Sequence, residues 1–418
     1  MKNTNKRVVV TGVGPVTAIG TGKEAFWKNL CEGNANIKAI PPQFENSYRF
    51  KSRFYVPFPV EKLEDHDIPG KYETVMGTSS QVAVIAAKLA LEDAGIPWTR
   101  EDFELPADPD RCAVVLGTGI CNLKAGFDAH EAHALNPAMR FNRMVIPMIM
   151  PDAASSWISI LFGTTGVNYT LNASCASGTM AIGEAFLKIR SGDADLVLAG
   201  GFECLKDESG TVMRGFDSLG TLTTASDGYP LPFSRERTGF LFAEGGAGIL
   251  VIESLDHARE RGAVPYAEIL GYAACSDAYN IVQMEPSGAR VMTMINELTT
   301  GRKIDYFNAH GTATQLNDET EARVIRSVFG VKETQPVINS TKGITGHSIG
   351  ASGAMEAAAT VLSIQRGMIH KNLTSNIMDY LNVNLETIHC DIRMAVSASF
   401  GFGGHNAALL FGKADLTR

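Results

Sequence analysis

Hydrophobic and polar positions along the chain fall into two recurring patterns. In the first, Arg7-Val8-Val9-Val10-Thr11-Gly12 follows a short polar lead and reads as a strand. Val167, Tyr169, Leu171 and Ala173 alternate with less apolar neighbours, which predicts another strand, followed by a helix running through Arg190. In the second pattern, Thr78 to Ala94 places Val82, Ile85, Ala86, Leu89 and Ala90 at a 3.6-residue period, and Gly95 supplies the stop signal of that helix. Ile304 to Phe307 and Val337-Ile338 are short apolar runs, each entering a glycine-rich turn. Strands alternating with helices in this way indicate an α/β protein with mixed sheets.

The second half of the chain replays the first. Cys112 to Gly117 corresponds to Lys303 to Asn308, Gly248 to Glu253 to Ala407 to Gly412, and the helix opened by Cys175 to the segment from Gly350 to Gln365. A divide at residues 255 to 265 follows, giving units of 1–260 and 261–418. The span between Gly119 and Ser156 is less regular and contains Arg140, Arg143 and the apolar stretch Val145 to Met150. Gly12-Val13-Gly14-Pro15 superficially resembles a nucleotide loop, but the third glycine of that pattern falls on Thr17, so a plain turn is expected.

Composition narrows the class. A chain of 418 residues, 45% hydrophobic and 20% charged, can bury a large core and exceeds one ordinary domain. Its net charge of −8 argues against a general nucleic-acid binder, which needs clustered Lys and Arg. No run approaches the roughly 20 apolar residues of a membrane span, and the N-terminus leads directly into a strand, so a soluble, cytoplasmic protein is expected. Without a secretory signal, the triplet Asn168-Tyr169-Thr170 reads as a chance glycosylation match. Seven cysteines without Cys-x-x-Cys spacing suggest neither a disulfide framework nor a metal site, and a reducing environment suits a working thiol.

Candidate chemistry sits at the ends of the predicted strands. Cys175, in Asn172-Ala173-Ser174-Cys175-Ala176-Ser177-Gly178, stands at a helix N-terminus, where free backbone amides are expected to favour thiolate over thiol. His310 lies in Asn308-Ala309-His310-Gly311-Thr312-Ala313-Thr314, and His347 in Lys342-Gly343-Ile344-Thr345-Gly346-His347-Ser348-Ile349-Gly350. Both follow short apolar runs, where α/β folds assemble sites from separate loops. His66, His130, His133, His257, His370 and His389 have no metal-ligand spacing and are expected to be structural or exposed.

Together with Phe400-Gly401-Phe402-Gly403-Gly404-His405-Asn406, these clusters resemble the β-ketoacyl-acyl carrier protein synthases of the thiolase superfamily, from Arg7 to about Phe411. The resemblance implies the thiolase fold, a duplicated α/β unit with two mixed sheets sandwiched between helices in an α-β-α-β-α arrangement. It implies a decarboxylative Claisen condensation with Cys175 as nucleophile, and His310 and His347 stabilising the enolate. Lys342 and Glu356 would form the polar network that orients the histidines. By the same resemblance the backbone amides of Cys175 and Phe402 form the oxyanion hole, and Phe400 and Phe402 gate the acyl pocket. Thr312 and Thr314 would bind phosphopantetheine, and Ile120 would line the acyl pocket. No metal or other cofactor is implied. The implied partners are an acyl carrier protein and a second subunit; the basic Arg140 and Arg143 are expected to dock the acidic carrier, and the unusually apolar Met144 to Ile149 to meet the second subunit. That subunit is either an identical chain or a chain-length-factor-like ketosynthase subunit.

His310 to Asp318, reading His-Gly-Thr-Ala-Thr-Gln-Leu-Asn-Asp, is similar to the ketosynthase subunit of type II polyketide synthases. The housekeeping fatty-acid enzyme usually has Ser-Thr-Pro after the Gly-Thr equivalent, yet it shares every catalytic residue and remains the alternative. A non-catalytic chain-length subunit typically lacks the cysteine, and initiating synthases and thiolases carry Cys-His-Asn or paired cysteines. Three departures stand out: His405 where many relatives have threonine, Leu231-Pro232-Phe233-Ser234 in place of Arg-Pro-Phe-Asp, and one extra residue in Phe242-Ala243-Glu244-Gly245-Gly246.

Overall fold

The computed structural model describes residues 5–46, 48–97, 107–138 and 142–415. The first half runs β1 (Val8–Thr17), α1 (Thr78–Asp93), β2 (Cys112–Gly117), α2 (Ala153–Phe162), β3 (Asn168–Leu171), α3 (Ser177–Arg190), β4 (Leu196–Cys204) and β5 (Gly245–Ser254). The second half repeats this order as β6 (Ala267–Ser276), α4 (Ala289–Thr299), β7 (Tyr306–Asn308), α5 (Gln315–Phe329), β8 (Val337–Asn339), α6 (Ser352–Arg366), β9 (Met394–Gly401) and β10 (His405–Gly412).

Pairing repeats too. In the first half the strands lie in the order β3-β2-β4-β5-β1, and in the second β8-β7-β9-β10-β6, with the same two parallel pairings followed by two antiparallel ones, so that only β5 and β10 run against the other strands of their half. The two sheets are not separate. Val8, Val9 and Val10 of β1 pair antiparallel with Ile269, Glu268 and Ala267 of β6, which makes one continuous ladder across the halves.

Alternation along each buried strand feeds two different layers. On β5, Leu250 and Ile252 join a central core with Ala181 and Ile182 of α3 and Ala354 and Leu362 of α6. Ile249 and Val251 face the other way, onto Val82 and Ala86 of α1 and Ile158 of α2. A third core packs Ile295 of α4 and Ile325 of α5 against Phe307 and Val396. Helices α3 and α6 touch each other and strands of both halves, so they form the middle of five layers. That is the thiolase arrangement, and strands buried on both faces explain why their sequences are almost continuously apolar.

Gly12-Val13-Gly14-Pro15 corrects an expectation. The segment lies inside β1 rather than in a turn. A methyl group on Gly14 would collide with the carbonyl oxygen of Ala86 and lie 2.6 Å from the amide of Ala90, so the glycines let α1 settle directly on the strand. Among the described residues no helix is long and apolar enough to cross a membrane.

Candidate active site

Cys175, His310 and His347 follow the carboxyl ends of β3, β7 and β8, and the fold brings them together in one cleft of about 280 Å³. All three are at most 5% exposed. His347 Nε2 lies 3.2 Å from Cys175 Sγ. The two imidazoles meet edge to face with centroids 5.6 Å apart, and Phe400 packs 5.6 Å from the His310 ring. Thr312, Thr314, Phe400 and Phe402 also line the cleft, and the two threonine hydroxyls are 3.0 Å apart. Ile120 does not line it, but packs within the apolar cluster that also contains Cys175, Phe402 and Ile349.

One turn is used twice to build the site. Ser174–Ala176 and Ile349–Ala351 are short 3-10 turns leading into α3 and α6, and each opens with a residue in the left-handed region, Ser174 at φ 51° and Ile349 at φ 47°. In both, the first serine of the helix caps the amide four residues upstream: Ser177 Oγ accepts from Ala173 N–H at 2.8 Å, and Ser352 Oγ from Ser348 N–H at 2.9 Å. Cys175 therefore corresponds to Gly350, and His347 to Asn172. One copy presents the sulfur and the other the imidazole.

Buried carboxylates fix the His310 loop. Glu321 accepts the amides of His310 and Gly311, both at 2.8 Å, and Asp318 accepts those of Ala313 and Phe233 at 3.1 and 2.7 Å. Phe233 belongs to the divergent Leu231–Ser234 segment, whose Leu231 and Phe233 both adopt positive φ. The longer Phe242–Gly246 segment holds the other loop, because Ala243 N–H donates to the His347 carbonyl and His347 N–H to that of Leu241. His405 does not line the cleft; the gate loop beside it is tied to its surroundings by Gly403 N–H donating 2.8 Å to the Ile281 carbonyl.

Hydrogen-bond donors set the tautomers. Lys342 Nζ donates to the His310 carbonyl at 2.7 Å and approaches Nδ1 at 3.2 Å, while pairing with the buried Glu356 carboxylate. A lysine nitrogen has nothing but hydrogens to offer, so Nδ1 accepts and Nε2 carries the ring hydrogen. Ser352 Oγ, which accepts the Ser348 amide, lies 2.8 Å from His347 Nδ1 and can donate its hydroxyl hydrogen to the ring. Donation in that direction leaves the ring hydrogen of His347 on Nε2, as in His310. Ser352 was not singled out from the sequence, although the parallel between Cys-Ala-Ser-Gly and Gly-Ala-Ser-Gly signals it.

Burial corrects the expected thiolate. It pushes the Cys175 thiol up to about 11, with Lys342 and the backbone amides of Phe402 and Cys175 pulling the other way. The helix terminus is outweighed, and the sulfur rests protonated. Burial, then the Lys342 charge, holds both imidazoles well below their ordinary value of 6.5, so both are neutral. Of the remaining histidines, His66 and His257 pair with Glu61 and Glu253, His370 is buried among Asn339, Thr341 and the Lys371 carbonyl, and His130, His133 and His389 are exposed. Arg143 is exposed, whereas Arg140 lies outside the described residues.

Comparison with known proteins agrees with this geometry. The family model of the β-ketoacyl synthase N-terminal domain matches residues 5–258, and that of the C-terminal domain residues 266–376. The chain is 36% identical to the 3-oxoacyl-[acyl-carrier-protein] synthase 2 of Staphylococcus aureus, over 98% of this chain and 99% of the relative. It is 34% identical to the mitochondrial enzyme of Arabidopsis thaliana, over 98% and 94%. Among solved structures, a β-ketoacyl synthase from Burkholderia phymatum has a TM-score of 0.86 at 30% identity. A type II polyketide ketosynthase in complex with its acyl-carrier protein also has 0.86, at 27% identity. Each covers 98% of this chain and 100% of the other. The ishigamide ketosynthase/chain length factor has a TM-score of 0.84 at 28% identity. With two family models covering most of its length and a buried thiol sharing one cleft with two imidazoles, the chain belongs to the β-ketoacyl synthase family.

Proposed function

We propose that this protein is a β-ketoacyl-[acyl carrier protein] synthase that joins a Cys175-bound acyl chain to malonyl thioester by decarboxylative Claisen condensation. The observation that carries this reading is the buried convergence of a thiol with two imidazoles whose Nδ1 atoms face Lys342 and Ser352, an arrangement that suits a hydrogen on each Nε2. In loading, a bond forms between Sγ and the acyl carbon as the carbon–sulfur bond to phosphopantetheine breaks, and the thiol proton ends on the leaving sulfur. The amides of Cys175 and Phe402, which already face the sulfur, receive the carbonyl oxygen's charge.

In condensation, the malonyl group loses CO₂ and its electron pair enters an enolate whose oxygen accepts from His310 and His347. The enolate carbon then attacks the acyl carbonyl, and Sγ leaves and regains a proton. Donors in a site this dry stabilise such charge far better than in water. Lys342 positions His310 and is itself held by Glu356, Thr312 and Thr314 contact the phosphopantetheine arm, and Phe400 and Phe402 gate the acyl pocket that Ile120 borders. Residues 1–260 supply the sulfur, and residues 261–418 the histidines and the gate. No cofactor enters these steps.

An acyl carrier protein delivers both substrates, and Arg143 is an exposed cation available to it. The working unit is a dimer, identical or paired with a chain-length-factor-like subunit. Supporting this, β3 ends the ladder with one side unpaired, Ile160 and Val167 beside it are 68% and 52% exposed, and Ile146 is 59% exposed. Two pathways are supported by different observations. The His310 to Asp318 loop and the polyketide ketosynthases among the structural neighbours favour a type II polyketide system. The identity to the staphylococcal enzyme favours fatty-acid elongation.

Incubation with acyl- and malonyl-carrier protein, read by intact mass, tests the reaction. Wild type should gain one acyl group and convert it to a β-ketoacyl product, Cys175→Ala should gain none, and His310→Ala should load without condensing. An acyl label on Cys112, Cys121 or Cys204 instead would remove Cys175 from its role. Elongation of ordinary saturated chains by the chain alone decides for the fatty-acid pathway, and activity that requires a cysteine-free partner decides for the polyketide one.

A further inference from the structure

At the end of β4 the side chain of Glu203 is fully buried and enters no ion pair among the described residues. Its charge is met by amides instead. Gly119 N–H donates to Oε2 and Cys121 N–H to Oε1, both at 2.7 Å, and Ile120 N–H lies between the two oxygens at 3.2 and 3.3 Å. The Thr118 hydroxyl adds a donor at 3.1 Å. Three consecutive amides thus curl around one carboxylate, the nest that folds use to hold anions. A further amide, Gly350 N–H at 3.3 Å, comes from the turn that presents His347.

The two loops are held against each other as well as against the carboxylate. A methyl on Gly119 would stand 2.6 Å from Ile349 Cγ2 and 3.0 Å from Glu203 Oε2. The first loop also braces the sulfur, since Asn172 Nδ2 donates to the Gly119 carbonyl and Ser177 Oγ to that of Thr118. Ile120, at its centre, packs in the apolar cluster behind Cys175.

We infer that Glu203 is a positioning and specificity-determining residue, which fixes the Ile120 wall of the acyl pocket to the turn carrying His347 and so links acyl-chain length to condensation. This rests on the proposed synthase reading. Burial raises the Glu203 carboxyl toward about 7 while the amides lower it, so the charged form depends on the donors it organises. An acyl chain long enough to press on Ile120 moves a loop that shares its anchor with the histidine turn. A short chain leaves both at rest.

Glu203→Gln keeps the shape but turns an NH₂ group toward amides that can only donate. Condensation with malonyl-carrier protein is measured for acetyl, octanoyl and palmitoyl donors. The variant should lose at least about tenfold more kcat/KM with the long donors than with acetyl. Thr118→Val, which removes a single donor, should shift selectivity in the same direction by less, and it decides alone if Glu203→Gln does not fold. Equal losses at every chain length, or losses that merely follow the melting temperature, would overturn the inference while leaving the synthase reading intact. Wild type that forms no β-ketoacyl product with any donor, even with a cysteine-free partner subunit present, would overturn both.

Discussion

At Cys175, burial and local donors pull in opposite directions, and burial wins. Alkylation by iodoacetamide should therefore accelerate continuously from about pH 7 to about pH 10, without the plateau of an acidic thiol. Lys342→Ala, which removes a nearby cation, should slow it at every pH. A plateau below about pH 8, followed by mass spectrometry of the Cys175 peptide, would contradict this. The histidines behave oppositely. Because their pKa values are depressed, they stay neutral until pH falls well below 6.5, so the acidic limb of condensation should lie there. Lys342 is one cause of the depression, and its removal lets both rings protonate at higher pH. The limb in Lys342→Ala should move upward, as a pH–rate profile of product formation will reveal. Cys175, His310, His347 and Lys342 were legible because each sits in a local motif. Glu203 was not, since its meaning comes from an amide 147 residues away, and neither was the cost of burying the thiol.

Among the elements, periodicity located α1 and the strands around it, because each is patterned by the neighbours it packs against. It failed at Gly12 and Gly14, since glycine marks both a turn and a close approach of helix to strand, and sequence does not separate the two. Gly14→Ala should thus act as overpacking: the new methyl meets backbone atoms of α1, which have no rotamer to change. A loss of at least about 1 to 3 kcal/mol is expected from the shift in the urea midpoint. A neutral result would return the segment to a flexible turn. The three-residue strands β7 and β8 were legible for a simpler reason: short apolar runs ending in glycine-rich loops have few other fates in a fold of this kind.

For the whole molecule, the repeat of the chain was legible in its sequence, but the joining of the sheets through β1 and β6 was not, because pairing between distant strands leaves no local periodicity. The unpaired edge of β3 is where the proposed subunit contact is tested. Ile160→Lys combined with Val167→Asp should turn a dimer into monomers in sedimentation velocity, and unchanged sedimentation would shift the contact to Ile146 and its neighbours. The duplicated turn has a further consequence. A side chain at position 350 would collide with the Gly119 amide and come within 2.7 Å of the Thr118 carbonyl carbon, so the second copy of the turn is closed to any nucleophile. Duplication doubled the scaffold without doubling the capacity. On the proposed reaction each chain carries one acyl group, and the first burst of acyl transfer should count working molecules one for one.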